Sequence, residues 1–380
     1  MRAGADVCGR RGSVPSAAVF CGAWPLRPVQ KRTAHEWPAR STAQRARRPE
    51  MAENGGCAWT EARLHGIMLL VQSAPAGRSG MGMRGSMREE EIFVYDRHKR
   101  KRVAVETASA GWMRTLYQTR PGNLLLWALV KRRCVSAVYG RYCRTRRSRR
   151  AAQALIDQYG LDMSAYAPFE TYRDFFIRQK REVPFVQGDG LGSIAESFVT
   201  AWERIDAGRL YQVKDSTYTL ARLLGDEQTA QAYEGGTLLR FRLAPHHYHH
   251  LHLFDEAKVT RMYDVKGTYY SVHPMAAVRV AELYCKNKRR VVHFDTAHFG
   301  RVVLVEVGAT MVASIHNPFA VGDTVHRGQD GGYFEPGGSM LLLLFAPGTV
   351  KICSDILEQS KEEIETMVSV GERIGTGVED

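Results

Sequence analysis

Apolar and polar positions along the chain fall into two textures. Between about Ser109 and Met163, Trp112, Leu116, Leu124, Leu125, Trp127, Leu129, Val130 and Val138 recur near helical spacing among basic residues, which predicts amphipathic helices. From Ile194 onward the runs are short, rich in β-formers and separated by Gly, Pro, Asn or Asp. Leu238–Leu243, Arg301–Val307, Met311–Ile315 and Met340–Phe345 read as strands. Helices are expected over Pro274–Cys285 and Ser354–Met367. The sum is an α+β chain with a mainly antiparallel β core and a helical N-terminal region, not an alternating βα fold. Residues 1–86 show no period and are rich in Arg, Gly, Ala and Ser, so no packed fold is expected there.

Composition sharpens this picture. The chain has 380 residues and a net charge of +13, which favours an anionic partner. The first 86 residues hold 13 Arg/Lys against 5 Asp/Glu. That stretch reads as a disordered arm, a targeting peptide or a start assigned too early; the coherent segment opening at Met87 favours the last. A second basic cluster runs from Lys131 through Arg132, Arg133, Arg141, Arg144, Arg146, Arg147, Arg149 and Arg150. Mixed with apolar helical positions, it suits either a solvated helix face or an interfacial surface on an anionic phospholipid membrane. Nucleic acid fits less well, because no binding motif or stacking platform appears. No apolar run nears the ~18–20 residues needed to cross a bilayer, and seven scattered cysteines form no CxxC pair, which argues against a disulfide framework or zinc finger.

Two segments carry candidate chemistry. Gly331 to Met340 reads Gly-Gly-Tyr-Phe-Glu-Pro-Gly-Gly-Ser-Met and opens a strongly apolar run. A serine placed there by flexible glycines is either part of a plain turn or a nucleophile able to attack the carbonyl before it. His246-His247-Tyr248-His249-His250-Leu251-His252 admits three readings: metal ligands, a surface cluster, or a general base for a serine elsewhere. No Cys or carboxylate stands at ligand spacing before Asp255 and Glu256, so no metal site is assigned.

Several segments in order carry a family resemblance. Arg242-Leu243-Ala244-Pro245 followed by Tyr248 to His252 resembles the "LAPxDYHRxH" signature of phosphatidylserine decarboxylases. Lys266 to Pro274 resembles "GxxYSVNP", Asn287 to Arg290 resembles "NKR", Glu306 to Ile315 resembles "VGATxVGSI", and Gly331 to Ser339 resembles the "GYFxxGGS" processing site. The similarity extends from about Ile92 to Gly375 and is nearest the bacterial type II branch.

The resemblance implies a proenzyme that cuts itself. Ser339 would attack Gly338, leaving a β chain ending at Gly338 and an α chain beginning with a pyruvoyl cofactor made from Ser339. That group would form a Schiff base with the substrate amine and draw off the electrons left by departing carbon dioxide. The family's Asp-His-Ser relay maps its base to His252, and the first histidine of the signature, tied to decarboxylation or substrate positioning, to His249. A gapless reading puts Glu196 at the relay aspartate; Asp189 is the alternative, at the cost of a gap. Further departures are His247 for aspartate, Met340 for a small hydroxyl residue and His273 for asparagine. The implied reaction is phosphatidylserine to phosphatidylethanolamine plus CO2. Alternatives are a homologue acting on a soluble amino acid such as tryptophan, or a non-processing lipid-binding pseudoenzyme. The expected layout is an extension over 1–86, a basic helical membrane-associating region over 87–180 and a catalytic domain over 181–380. The α and β chains would associate as a heterodimer or a higher oligomer, peripheral on the cytoplasmic face of a bacterial membrane or, alternatively, on the mitochondrial inner membrane.

Overall fold

The computed structural model describes residues 92–105, 133–213, 216–272, 276–277, 280–308, 315–337 and 339–378. The strands in chain order are β1 (Ile92–Asp96), β2 (Lys101–Val105), β3 (Gly190–Gly192), β4 (Ser197–Trp202), β5 (Leu210–Val213), β6 (Ser216–Tyr218), β7 (Thr237–Leu243), β8 (His250–His252) and β9 (Ala257–Val265). They continue as β10 (Arg289–Thr296), β11 (Arg301–Gly308), β12 (Ile315–His316), β13 (Thr324–Val325), β14 (Asp330–Phe334), β15 (Ser339–Phe345), β16 (Val350–Ile352), β17 (Glu365–Val368) and β18 (Arg373–Gly377).

One sheet of ten strands dominates, in the order β13-β9-β10-β11-β15-β7-β4-β17-β1-β2. Its pairings are antiparallel except β1 with β17. This bears out the expected mainly antiparallel α+β core. β15 lies near its middle, and every one of its residues is buried. Successive side chains point to opposite faces, so Leu341, Leu343 and Phe345 enter one core and Met340, Leu342 and Leu344 the other. A central strand covered on both sides has no solvent face to mark with polar residues, which is why its sequence is an unbroken apolar run. Burying each such side chain contributes roughly 1.5–3 kcal/mol.

Beside the large sheet lies a three-stranded one, β12-β14-β8. β14 pairs with the histidine strand β8, Tyr333 opposite His250 and Gly332 opposite Leu251. The chain then passes from this small sheet into β15 of the large one within Glu335 to Gly338. Gly332 has φ +120°, and a Cβ there would stand 1.8 Å from the His316 carbonyl oxygen; no other residue fits. Gly337 has φ +153°, so the handover also relies on glycine. Gly338 lies outside the described residues.

The helices differ from expectation in two places. The helix expected to reach Met367 covers only Ser354–Lys361. Glu363 then takes φ +60°, and Glu365–Val368 becomes β17, because its backbone completes ladders with β4 and β1. Tertiary pairing there outweighs local helical periodicity. Of the helix expected over Pro274–Cys285, Ala276 and Ala277 are helical and the Val280 N–H donates to the Ala276 carbonyl at 2.9 Å, then Glu282 at φ +53° interrupts the run before a short helix at Leu283–Lys286; residues 273–275 and 278–279 lie outside the described residues. In the N-terminal region, helices at Arg133–Cys143, Arg149–Tyr159 and Tyr172–Phe176 enclose a small core of Tyr139, Cys143, Ala152, Tyr172, Phe175 and Phe176. The apolar positions from Trp112 to Val130, and Met311 to Ser314, lie outside the described residues.

If β15 is the spine of both cores, Leu343→Ala should lower the unfolding free energy by about 2–5 kcal/mol. Val321→Ala, at a side chain 56% exposed, should change it little. Urea unfolding of the two variants beside the parent checks this.

Candidate active site

Ser339 is the first residue of β15, paired between Gly308 of β11 and Leu243 of β7. It is 0% exposed, and its Oγ has no hydrogen-bond partner among the described residues. A buried hydroxyl left in this state typically costs about 1–3 kcal/mol, so it is a costly place for a merely structural serine. Met340, the next residue, turns to the opposite face and packs with Val307 and Leu342. The departure at 340 is therefore a core-packing residue facing away from Ser339.

The five clustered histidines are spent in different ways. His247 lies in the turn after Pro245: its N–H donates to the Ala244 carbonyl, and its ring Nδ1 accepts from the Ala244 N–H at 3.2 Å. An aspartate carboxylate could cap that turn in the same way, so imidazole can stand in for it. His250 packs flat on Tyr248, and its two ring nitrogens face Asp330 and the Ile177 carbonyl, each at 3.0 Å. His246 stacks on Tyr159, and burial pushes its pKa down to about 4.

His249 and His252 remain. His249 is fully buried, its ring 3.7 Å from that of Phe176. Its Nδ1 stands 2.9 Å from the His247 carbonyl oxygen. A carbonyl only accepts, so Nδ1 carries the hydrogen and Nε2 is a bare lone pair; that Nε2 has no partner among the described residues. His252 is held alike, with Nδ1 2.9 Å from the Gly328 carbonyl oxygen, and its Nε2 accepts from the Tyr248 hydroxyl at 3.1 Å. Burial holds both rings below the ordinary histidine range, His249 well below. Burial also raises the Tyr248 phenol, so it stays a donor. Both imidazoles are neutral bases of fixed tautomer.

The two candidate carboxylates lie elsewhere. Glu196 pairs with Lys180 at 3.1 Å, and the Lys180 ammonium sits 5.1 Å from the Tyr248 ring centre. The Ile194 carbonyl, two residues before Glu196, accepts from the His252 N–H at 2.7 Å. Glu196 thus connects to His252 only through Lys180 and Tyr248, while the Gly328 carbonyl orients the imidazole. Asp189 stands 3.9 Å from Arg373 and lines a cavity of about 530 Å³ with His298 and Thr349. The histidine strand β8 pairs with β14, and β15 with Ser339 at its head follows β14 a few residues later; neither Ser339, His249, His252 nor Glu196 lines Asp189's cavity. Sequence reasoning gave no role to Tyr248, Lys180 or Glu306; the one signal for Glu306 was a lone acid inside an apolar strand.

A serine hydroxyl that is buried and unbonded at the head of a central strand, in a chain that also buries neutral histidines, is compatible with an activated serine. A family profile described as phosphatidylserine decarboxylase matches residues 172–376. The phosphatidylserine decarboxylase proenzyme of Ruminiclostridium cellulolyticum is 38% identical over 296 residues, 76% of this chain and 98% of that protein. Those of Clostridium perfringens and Desulfitobacterium hafniense are 36% and 38% identical, each over 292 residues and 75% of this chain, covering 99% and 98% of those proteins. The chain belongs to the phosphatidylserine decarboxylase family, a family of carboxy-lyases.

The buried histidines fix a pH response. His246, His247 and His249 stay neutral when folded, but bind protons near pH 6.5 once unfolded, and burial shifts His252 in the same direction. Their penalty is absent above that value and grows as pH falls below it, by up to about 1.4 kcal/mol per pH unit per group. Stability should therefore drop on acidification from pH 6.5 to 5. His247→Asp, which keeps the turn cap, should make that slope shallower by nearly one proton. Urea midpoints measured across the range test it.

Proposed function

We propose that this chain is a self-processing proenzyme that converts phosphatidylserine to phosphatidylethanolamine and CO2 after breaking its own Gly338–Ser339 bond. The observation that carries the reading is the Ser339 hydroxyl, buried and unbonded where β14 hands over to β15. Ser339 attacks the Gly338 carbonyl, the amide becomes an ester, elimination separates the chains and leaves residue 339 as dehydroalanine, and addition of one water with loss of ammonia turns that residue into the pyruvoyl group. His252 takes the serine proton at Nε2, with the Tyr248 hydroxyl either yielding its place or passing the proton on.

Glu196 serves at one remove. Lys180 lowers the basicity of His252 by its charge, after burial and the neighbouring His250. Pairing Lys180 with Glu196 offsets this and keeps the imidazole a usable base. Asp189, in its separate cavity, has no part. After cleavage, the pyruvoyl group made from Ser339 supplies the electron sink for decarboxylation. It fits the place: the residue that becomes it has a side chain of no other use, in a pocket closed to water. His249, the histidine with a bare Nε2, then orients the substrate or moves its proton.

The substrate surface is argued from charge. Arg141, Arg144, Arg146, Arg147, Arg149 and Arg150 are all exposed on the helical segment before residue 180. They suit an anionic lipid surface on which the protein lies peripherally, on the cytoplasmic side of a bacterial membrane. No helix among the described residues is long and apolar enough to cross one. The α and β chains stay together because β15 is hydrogen-bonded into the sheet on both edges.

Ser339→Ala should give a single uncut band on a denaturing gel, where the parent gives two. His252→Ala should slow cleavage by about 100-fold or more, Glu196→Gln by less, and Asp189→Asn not at all. The cut protein should release CO2 from phosphatidylserine vesicles and not from tryptophan. Normal maturation of His252→Ala would remove His252 as the base, and turnover of tryptophan alone would replace the lipid substrate.

A further inference from the structure

β11 holds one acid in an otherwise apolar run, Glu306, and it is 0% exposed. Its Oε1 accepts from the Asn317 side-chain N–H at 2.8 Å. That amide cannot turn over, because its nitrogen also donates to the Gly331 carbonyl at 3.0 Å and its oxygen accepts from Arg290 at 2.8 Å. Arg290 in turn is held by Asp264 on β9 at 2.7 Å. Glu306 Oε2 has no partner among the described residues.

Register places this side chain on a face of the sheet. Glu306 stands opposite Leu341, and Gly308 opposite Ser339. Paired residues share a face and alternate residues return to it, so Glu306 and Ser339 lie diagonally on the same face. Such neighbours are about 7–8 Å apart at Cα, within reach of a long side chain. Gly308, directly across from Ser339, puts no side chain in the way. Glu306 Oε2 and Ser339 Oγ are thus two buried, unpartnered polar atoms on diagonal neighbours of one sheet face. Burial lifts the Glu306 pKa to about 7, against the Asn317 hydrogen bond and the Arg290 charge, with Asp264 adding to the rise. Arg290 of β10 and Asp264 of β9 are the charged groups facing it; β15 offers only Leu341 and Ser339.

We propose that Glu306 is the proton donor to the Ser339 nitrogen when the Gly338–Ser339 amide bond breaks. This rests on the self-cleavage reading above. As the bond forms between Ser339 Oγ and the Gly338 carbonyl carbon, the hydroxyl proton goes to His252. As the carbon–nitrogen bond breaks, the nitrogen takes the proton from Glu306 Oε2. The products are an ester, a free amine, a Glu306 carboxylate and a protonated His252; returning the proton from His252 to Glu306 closes the balance. With Oε1 accepting from Asn317, the proton of the neutral carboxyl sits on Oε2, the oxygen with no partner among the described residues.

The test follows cleavage of the full-length chain made by cell-free translation, sampled over time on denaturing gels from pH 5.5 to 9. The parent rate should fall as pH rises through about 7, where the acid form is lost. Glu306→Gln keeps an acceptor for Asn317 but has no proton to give. It should cleave about 100-fold more slowly or worse, and without that fall. Melting of Ser339→Ala against Ser339→Ala/Glu306→Gln reports whether the variant folds. If it does not, Glu306→Asp decides: a displaced fall supports the proposal, and an unchanged one overturns it. Glu306→Gln cleaving at the parent rate with the parent pH profile also overturns it. A parent that is never cut at any pH would instead defeat the self-cleavage reading beneath it.

Discussion

The rest of the site depends on the dryness of Ser339. Its hydroxyl sits at the head of a strand apolar on both faces, with no water-facing side and no hydrogen-bond partner among the described residues. In such a place a proton cannot be handed to solvent, so every group that moves one must be built in. The imidazoles of His249 and His252 are likewise buried, of fixed tautomer, and held below the ordinary histidine range by burial.

The second constraint is the passage between sheets. β14 is bonded to the histidine strand β8, and a few residues later β15 is bonded to β11 and β7. The segment Glu335–Gly337 therefore lies between a strand of the small sheet and the head of a strand of the large one. Glu335 adds a tether, bound by the Arg173 guanidinium at 2.6 Å, which anchors the handover to the helical region. The same helical layer supplies Phe176 against His249. Helices, small sheet and large sheet thus each fix one part of the site.

Much of the β core was legible in the sequence. The runs at 238–243, 301–307 and 340–345 appear as strands within a residue of their expected ends, because their β-branched and leucine-rich composition agrees with their burial. The helix ending at Lys361 instead of Met367 was not legible, since only the ladders offered by β4 and β1 decide that Glu365–Val368 is a strand. In the site, the placement of the serine was readable from glycines before an apolar run. The division of labour among the histidines was not. His247 as a turn cap, His250 against Asp330 and Glu196 turned toward Lys180 are tertiary facts that spacing does not encode. Glu306 was visible as a lone acid, but its nearness to Ser339 follows only from strand register.

Intact-mass analysis of the purified full-length protein, combined with hydrazine labelling, tests the central claim most directly. The account predicts two polypeptides divided between residues 338 and 339, the C-terminal one carrying a blocked terminus that reacts as a ketone. A single uncut polypeptide with no labelled carbonyl would contradict it.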